Sequence, residues 1–311
     1  MVSLFVLFFT GLLTACGAHN APAAEAPQSA PGFLLAVTYD DLPFQAAQVP
    51  PDGALGGTAR LIDALTARAI PAVGFVNCDR GGEEVLRLWQ AAGLELGNHQ
   101  ANHDNLNKVA LEVWLDGARR CHEALKVYNP PRFFRYPYLF QGKTLEVRDA
   151  AAATLRGELG QTIAHVTIDN HEWRLAQLYS EAVAAGDDAR AEAVRGEYVP
   201  HLLAATANAR AVAQEKLGRD VAHVLLLHTN ALSVELAGPL MDALAAEGAR
   251  FVTLSEALAD PVYALPDAYV GPAGISWLYR VEPVVGHWTW EDETWTDLEA
   301  RYNPPAPEVS P

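Results

Sequence analysis

The 311-residue chain is half hydrophobic and 19% charged, a composition that supports a sizeable buried core and excludes a disordered or fibrous protein. Its 22 basic against 38 acidic residues leave a formal charge of −16, which excludes the basic surface that wraps nucleic acid and favours neutral or cationic partners. The one uninterrupted apolar run, about a dozen residues near the start, falls short of the roughly 17–25 that span a bilayer as a lasting helix, so a polytopic membrane protein is excluded.

That run, Val2 to Leu13, ends in Leu13-Thr14-Ala15-Cys16-Gly17. An apolar core followed by small residues and a cysteine reads as a secretory signal over 1–16, although no Lys or Arg precedes it. It also resembles a bacterial lipobox, which would make Cys16 the lipidated mature N-terminus and hold a soluble domain at a membrane by acyl-chain burial alone. The expected location is the periplasm or cell envelope. Residues 17–32 are rich in Ala and Pro and read as an extended linker.

From Phe33 onward, short apolar or β-branched runs alternate with stretches of helical period, the signature of parallel βα units. Strands are expected at Phe33–Tyr39, Ala72–Val76, Leu94–Gly97, Arg132–Arg135, Ile163–Ile168, Val221–Leu227 and Phe251–Thr253. Helices are expected near 57–69, 82–91, 110–127, 144–158, 172–217 and 236–248, the fifth divided at Gly186-Asp187-Asp188 and again at Gly196. About seven such units over 33–260 suit a barrel near the (β/α)8 type, incompletely closed, with a doubly wound open sheet as the other architecture. Residues 261–311 break the pattern and hold Trp277, Trp288, Trp290 and Trp295; they are expected to pack on the barrel, since aromatics bury much area per residue, with stacking on sugar rings as the other reading. Cys78 and Cys121 have no metal-site spacing; they either pair in an oxidising compartment or sit as two buried thiols.

The chain lacks a Gly-x-Ser-x-Gly elbow, a phosphate loop of the Gly-x-x-x-x-Gly-Lys type and a Gly-x-Gly-x-x-Gly fingerprint, which removes the common serine hydrolase, nucleotide-hydrolase and dinucleotide-binding machines. Polar residues cluster instead where strands are expected to end, the rim at which a barrel places its chemistry. The first strand runs into Asp40-Asp41, two carboxylates that need hydration, pairing or a metal and that face opposite ways unless the chain bends. The third leads to His99-x-x-x-His103, a spacing that on a helical turn puts both imidazoles on one face; with one carboxylate this makes a facial metal site. Gln100 stands where a zincin has its glutamate, so this is not that motif. The remaining strand ends carry Arg135-Tyr136-Pro137-Tyr138, then Asp169-Asn170-His171-Glu172-Trp173, then Leu226-Leu227-His228.

In this order, Thr38-Tyr39-Asp40-Asp41, His99-x-x-x-His103, Arg135-x-Pro137-Tyr138, Asp169-x-x-x-Trp173 and Leu226-x-His228, the chain resembles the polysaccharide deacetylase family, the NodB-homology carbohydrate esterases, over roughly 33–260. The resemblance implies a distorted (β/α) barrel with 7–8 strands that removes N- or O-acetyl groups from a glycan. It implies that Asp41, His99 and His103 hold Zn²⁺ or another divalent ion such as Co²⁺, with Asp40 as general base for water. Arg135 would orient Asp40 and keep it ionised, and His228 would be the general acid with Asp169 favouring its imidazolium form. The Tyr138 backbone N–H would face the oxyanion, and Pro137 and Trp173 would help to bind substrate. Leu42, Gln100, Leu139 and Glu172 depart from the family pattern; they alter loops around the cleft and remove no catalytic group. Two other functions suit the same residues: an amidohydrolase of a small non-sugar amide, since the site would serve any accessible carbonyl, and a non-catalytic carbohydrate-binding lipoprotein.

Overall fold

The computed structural model describes residue 1 and residues 32–45, 48–281 and 289–303, with side chains in the last segment from 294 onward. The leader, Cys16, almost all of the linker, Trp288 and the side chain of Trp290 lie outside the described residues.

Seven strands form one sheet: β1 (Phe33–Leu42), β2 (Val73–Val76), β3 (Glu95–Asn98), β4 (Phe133–Phe134), β5 (Thr162–Ile163), β6 (His223–His228) and β7 (Ala249–Phe251). Their order is β5-β4-β3-β2-β1-β6, with β7 on the start of β1, and every pair is parallel. β1 is central and nearly all buried, as a parallel strand covered on both faces must be, which is why it reads as a continuous apolar run.

Ten helices complete the chain: α1 (Gly53–Thr66), α2 (Glu83–Ala91), α3 (Leu111–Leu125), α4 (Leu145–Ala153), α5 (Glu172–Ala185), α6 (Asp188–Leu217), α7 (Ala231–Ala246), α8 (Leu254–Leu258), α9 (Trp277–Arg280) and α10 (Thr289–Tyr302), counted among the described residues. The fifth sequence strand, Ile163–Ile168, is not one strand. Its start pairs with β4, while Ile168 bridges Leu225 of β6. One stretch thus passes from one sheet edge to the other, closing the sheet into a distorted (β/α) barrel and ruling out the open doubly wound sheet.

The long helical segment breaks once. Gly186 sits at φ 68°, the left-handed region that glycine enters without steric cost, and the Asp187 side chain accepts from the Arg190 N–H to start α6, an ordinary N-cap. Gly196 causes no second break, because α6 runs through it. α7 begins before the expected 236 because Asn230 and Ser233 form a capping box. Cys78 and Cys121 are joined by a disulfide that ties the turn after β2 to α3.

Residues after the barrel pack against it. The Trp277 N–H donates to the Val166 carbonyl, its indole Nε1–H donates to Val262, and the Ser276 hydroxyl donates to Thr167. α10 is held to the helical pair by Arg174–Glu299 and by Arg301–Glu197 at 2.9 Å.

Candidate metal and acid–base site

Parallel register decides which residues meet. Asp40 lies level with His228, Val76 with Asn98, and Asn98 with Phe134. Hence Asp40, His228, His99 and Arg135 all leave the sheet at one end, where Asp40, His228 and His99 line a cleft of about 340 Å³ together with Asp41, His103, Tyr138, Asp169 and Trp173, and Arg135 lies buried beside it.

The adjacent aspartates both enter the cleft because β1 does not stay regular. Its register shifts between Tyr39 and Leu42, and Asp41 takes φ 69°, an irregularity that re-aims a side chain. Asp41 Oδ1 then lies 3.5 Å from His103 Nε2 and 3.9 Å from His99 Nε2, while Asp40 Oδ2 lies 3.5 Å from His99 Nε2.

The two histidines do not share a helical turn. Residues 99–103 form a loop in which Gln100 and His103 take φ 63° and 58°. Gln100 is its staple: its Oε1 accepts from the Asn102 and Asp104 N–H groups at 2.8 and 2.9 Å, and its Nε2 donates to Asp104 Oδ2 at 2.9 Å. Gly117 makes the room, since a Cβ there would lie 2.0 Å from Gln100 Nε2. His99 is aimed by its Nδ1, which donates to the Arg135 carbonyl at 2.9 Å and so leaves Nε2 with its lone pair toward Asp41.

Among the described residues, Asp41, His99 and His103 are the group whose ligand atoms lie together, all within 4.8 Å. Asp41 Oδ1 is buried and accepts no hydrogen bond, although the Arg80 guanidinium stands 3.2 Å away. Burial holds His99 well below its ordinary value and His103 down at about 4. For Asp41 burial pushes up, but His103, His228, His99 and Arg80 outweigh it and bring it to about 2. Two neutral imidazoles and one carboxylate with an orphaned oxygen form a donor set suited to a divalent cation with open positions.

Asp40 is buried and paired with Arg135, whose Nη1 lies 3.1 Å from Oδ1. Arg135 is itself buried and fully engaged: Nε donates to the Ala164 carbonyl at 2.7 Å, Nη2 donates to Thr38 Oγ1 at 3.2 Å, and the guanidinium covers the Phe75 ring. The orienting role expected of Arg135 fits this geometry. Its electrostatic pull does not prevail, because burial raises Asp40 to about 6 against the opposing Arg135 and His228 charges, which poises the carboxyl near neutrality.

The partner of His228 differs from the expectation. Glu172, not Asp169, meets it: Glu172 Oε1 accepts from His228 Nδ1 at 2.8 Å and from the His228 backbone N–H at 2.7 Å. Its other oxygen receives the Asn230 amide at 3.3 Å and the Tyr198 hydroxyl at 3.4 Å. The reason is local. Asn170 pins the turn by donating to the Leu226 carbonyl and accepting from the Glu172 N–H, and His171 at φ 57° starts α5, so that Glu172 points inward. Burial lowers His228, but the bond to and charge of Glu172, helped by the Asp41 and Asp40 charges, outweigh it and lift the imidazole to about 9. Asp169 lines the cleft and accepts from the Asn170 N–H at 3.0 Å.

Tyr138 forms the opposite lip, 52% exposed at φ 57°, its ring centred 4.3 Å from that of His103, with Pro137 buried beneath. The segment after the barrel presses on this turn: a Cβ at Gly274 would stand 1.8 Å from the Tyr138 carbonyl oxygen. Trp173 forms part of the wall across the cleft. Sequence reasoning missed Glu172 as the partner of His228, Arg80 beside Asp41, and the Tyr198 and Asn230 contacts; only the position of Glu172 one residue before Trp173 offered a signal.

A second cavity of about 470 Å³ lies outside the closing stretch, lined by Arg148, Asp149, Asp267 and His165 among others. Its carboxylates are each paired with an arginine, Asp149 with Arg148 and Asp267 with Arg280, which leaves no acid–base pair there among the described residues.

Fold and site together define a distorted parallel barrel carrying buried acid–base groups and a facial donor set at the carboxyl ends of its strands. The family model for polysaccharide deacetylase matches residues 28–156. A chitin deacetylase from Colletotrichum lindemuthianum is 26% identical over 241 residues, which cover 73% of this chain and 80% of that protein. Two solved structures share the fold: a mutant of a CE4 family pseudoenzyme with restored enzymatic activity, at TM-score 0.51 and 14% identity over 74% of this chain and 72% of that one, and a wild-type CE4 family pseudoenzyme from Bacillus anthracis, at 0.50 and 15% over 74% and 69%. Over these stretches the chain is similar to the polysaccharide deacetylases.

Proposed function

We propose that the protein is a metal-dependent hydrolase that removes N- or O-acetyl groups from a glycan. The observation that carries this reading is the meeting, in one cleft, of a buried carboxylate near neutrality, an imidazole lifted by a buried glutamate, and the Asp41, His99 and His103 donors. Groups pushed apart in this way are the acid and base of a hydrolysis.

Asp41, His99 and His103 would hold the cation, zinc or another divalent ion such as cobalt. When bound, it supplies a Lewis acid that polarises the acetyl carbonyl and lowers the pKa of water. Asp40, oriented by Arg135, accepts the proton of the water that attacks the carbonyl carbon. His228, held as imidazolium by Glu172, gives its proton to the departing sugar nitrogen or oxygen as the bond to the acetyl carbon breaks, and acetate is released. The Tyr138 turn borders the position of the carbonyl oxygen, and Pro137 fixes that turn. A pure binding protein would need no such pair of proton-transfer groups, and with both present catalysis is the better reading.

The leader supports export with Cys16 as a lipid anchor, and the Cys78–Cys121 disulfide suits the oxidising compartment this implies. Mass analysis of the mature N-terminus tests it: a diacylated Cys16 supports the anchor, and an unmodified Met1 refutes it.

The activity is tested by incubating zinc-loaded protein with N-acetylglucosamine oligomers, peptidoglycan and acetylated xylan, and measuring acetate. Chelator-sensitive release supports the reading and ranks the glycans. Release from simple acetamides alone would transfer the activity to small amides, and no release from any of them, with metal bound, would refute hydrolysis.

A further inference from the structure

The cleft wall does not end with the barrel. Trp173 of α5 lines the cleft together with His171. Behind and beside them stands Trp295 of α10, its ring centred 5.4 Å from that of Trp173 at 40° and 5.6 Å from that of His171. Trp173 and Trp295 are both only half-buried, so each retains exposed indole surface. Across the cleft, Tyr138 and Phe140 stack at 5.5 Å and 29°, and Tyr138 is the exposed lip. The acetyl-transfer groups therefore lie between two aromatic pairs, and one member of one pair comes from a helix outside the barrel.

The position of α10 is fixed rather than incidental. Arg174, the residue after Trp173, lies over the Trp295 ring and pairs with Glu299 one helical turn further on, while Arg301 and Tyr302 both reach Glu197 of α6. These contacts set Trp295 beside Trp173. Two half-exposed indoles in a row fit a run of sugar rings, whose C–H faces are apolar and whose hydroxyls remain in water, whereas an acetamide or a single sugar has too little surface to reach both. The side chains at this wall carry no excess of basic charge, which suits a neutral glycan.

We infer that Trp295 is a specificity-determining residue: it extends the Trp173 wall into a platform for a sugar unit beyond the acetylated one, so that affinity for an acetylated glycan grows with its length through a residue that lies outside the barrel. This rests on the glycan deacetylase reading for its substrate class, and its test is therefore binding and not turnover.

The full-length protein, wild type and variants, is titrated by calorimetry with the monomer to pentamer of N-acetylglucosamine and with acetylated xylose oligomers. In the wild type, affinity rises with chain length in at least one series. Trp295→Ala lowers affinity for the longest oligomers about tenfold, the scale of one lost aromatic stacking contact, and flattens the length dependence. Trp295→Phe recovers most of the loss and Trp295→Leu, which keeps apolar volume for packing but has no ring, does not. Thermal melting of each variant shows whether α10 has detached; the Phe and Leu variants decide the matter if the Ala variant is unstable. Length-independent binding in the wild type, equal losses at every length, or full recovery by Leu overturns the inference. Acetate release without length-dependent binding would leave the deacetylase reading standing and this one refuted, and Trp295-dependent binding without acetate release would do the reverse.

Discussion

Replacing Glu172 by Gln removes one charge from the least accessible position of the site and leaves its shape nearly unchanged. The lift of His228 from 6.5 to about 9 corresponds to about 3 kcal/mol in favour of the imidazolium. Because the folded value lies above the unfolded one, this stabilisation is fully present below about 6.5 and is lost as pH rises through about 9. In Glu172→Gln the burial of His228 is opposed only by the Asp41 and Asp40 charges, and the imidazole loses most of its lift. Two results follow. The alkaline limb of kcat/KM moves down from near 9 toward neutral pH, and the rate at pH 8 falls, by up to about a hundredfold where the general acid is lost. The stability difference between wild type and variant, measured by urea unfolding, is large at pH 6 and shrinks by pH 10. The reasoning is refuted if the variant keeps its alkaline limb, or if Asp169→Asn moves that limb and Glu172→Gln does not.

Other consequences are direct. Arg135→Met leaves Asp40 buried without its cation, which raises it further above about 6, shifts the acid limb of activity upward and costs about 3–5 kcal/mol in denaturant unfolding; an unchanged acid limb would argue against the pairing. Zinc at a hundred times its Kd raises the melting temperature by about 5 °C, and Asp41→Ala abolishes the increase; an equal increase in that variant would place the cation elsewhere. Gly274→Ala drives a Cβ into the Tyr138 carbonyl and should weaken substrate binding through KM, with backbone shifts at Tyr138 visible by NMR; normal KM and an unmoved Tyr138 would show that the turn yields freely. Opening the Cys78–Cys121 bridge, which spans 43 residues, costs about 2–4 kcal/mol, read by unfolding with and without reductant.

The sequence showed the barrel because a parallel strand buried on both faces is an uninterrupted apolar run, and the polar residue that ends such a run is easy to find. Asp40, Asp41, His99, Arg135 and His228 were legible for that reason. The crossing of 162–168 from β4 to β6 was not, since both halves of that stretch look like one strand and only long-range pairing separates them. The His99 to His103 spacing suits a helix and a loop equally, and the structure uses a loop stapled by Gln100. Between Asp169 and Glu172 the sequence offered two carboxylates three residues apart; which one turns inward depends on Asn170 binding the Leu226 carbonyl, a contact across 56 positions. Trp295 carries no local sign of its place beside Trp173, because that place is set by ion pairs to α5 and α6.

The proposed hydrolysis turns on Asp40 as the base beside the Asp41, His99 and His103 donors, and comparison of Asp40→Asn with wild type tests this most directly. Both proteins are loaded with zinc, their metal content is checked, and acetate release from an acetylated glycan is followed with and without chelator. Release that chelator abolishes in the wild type and that falls by about a hundredfold or more in Asp40→Asn, with zinc still bound, is the predicted result. Acetate release at the wild-type rate by Asp40→Asn would contradict the mechanism.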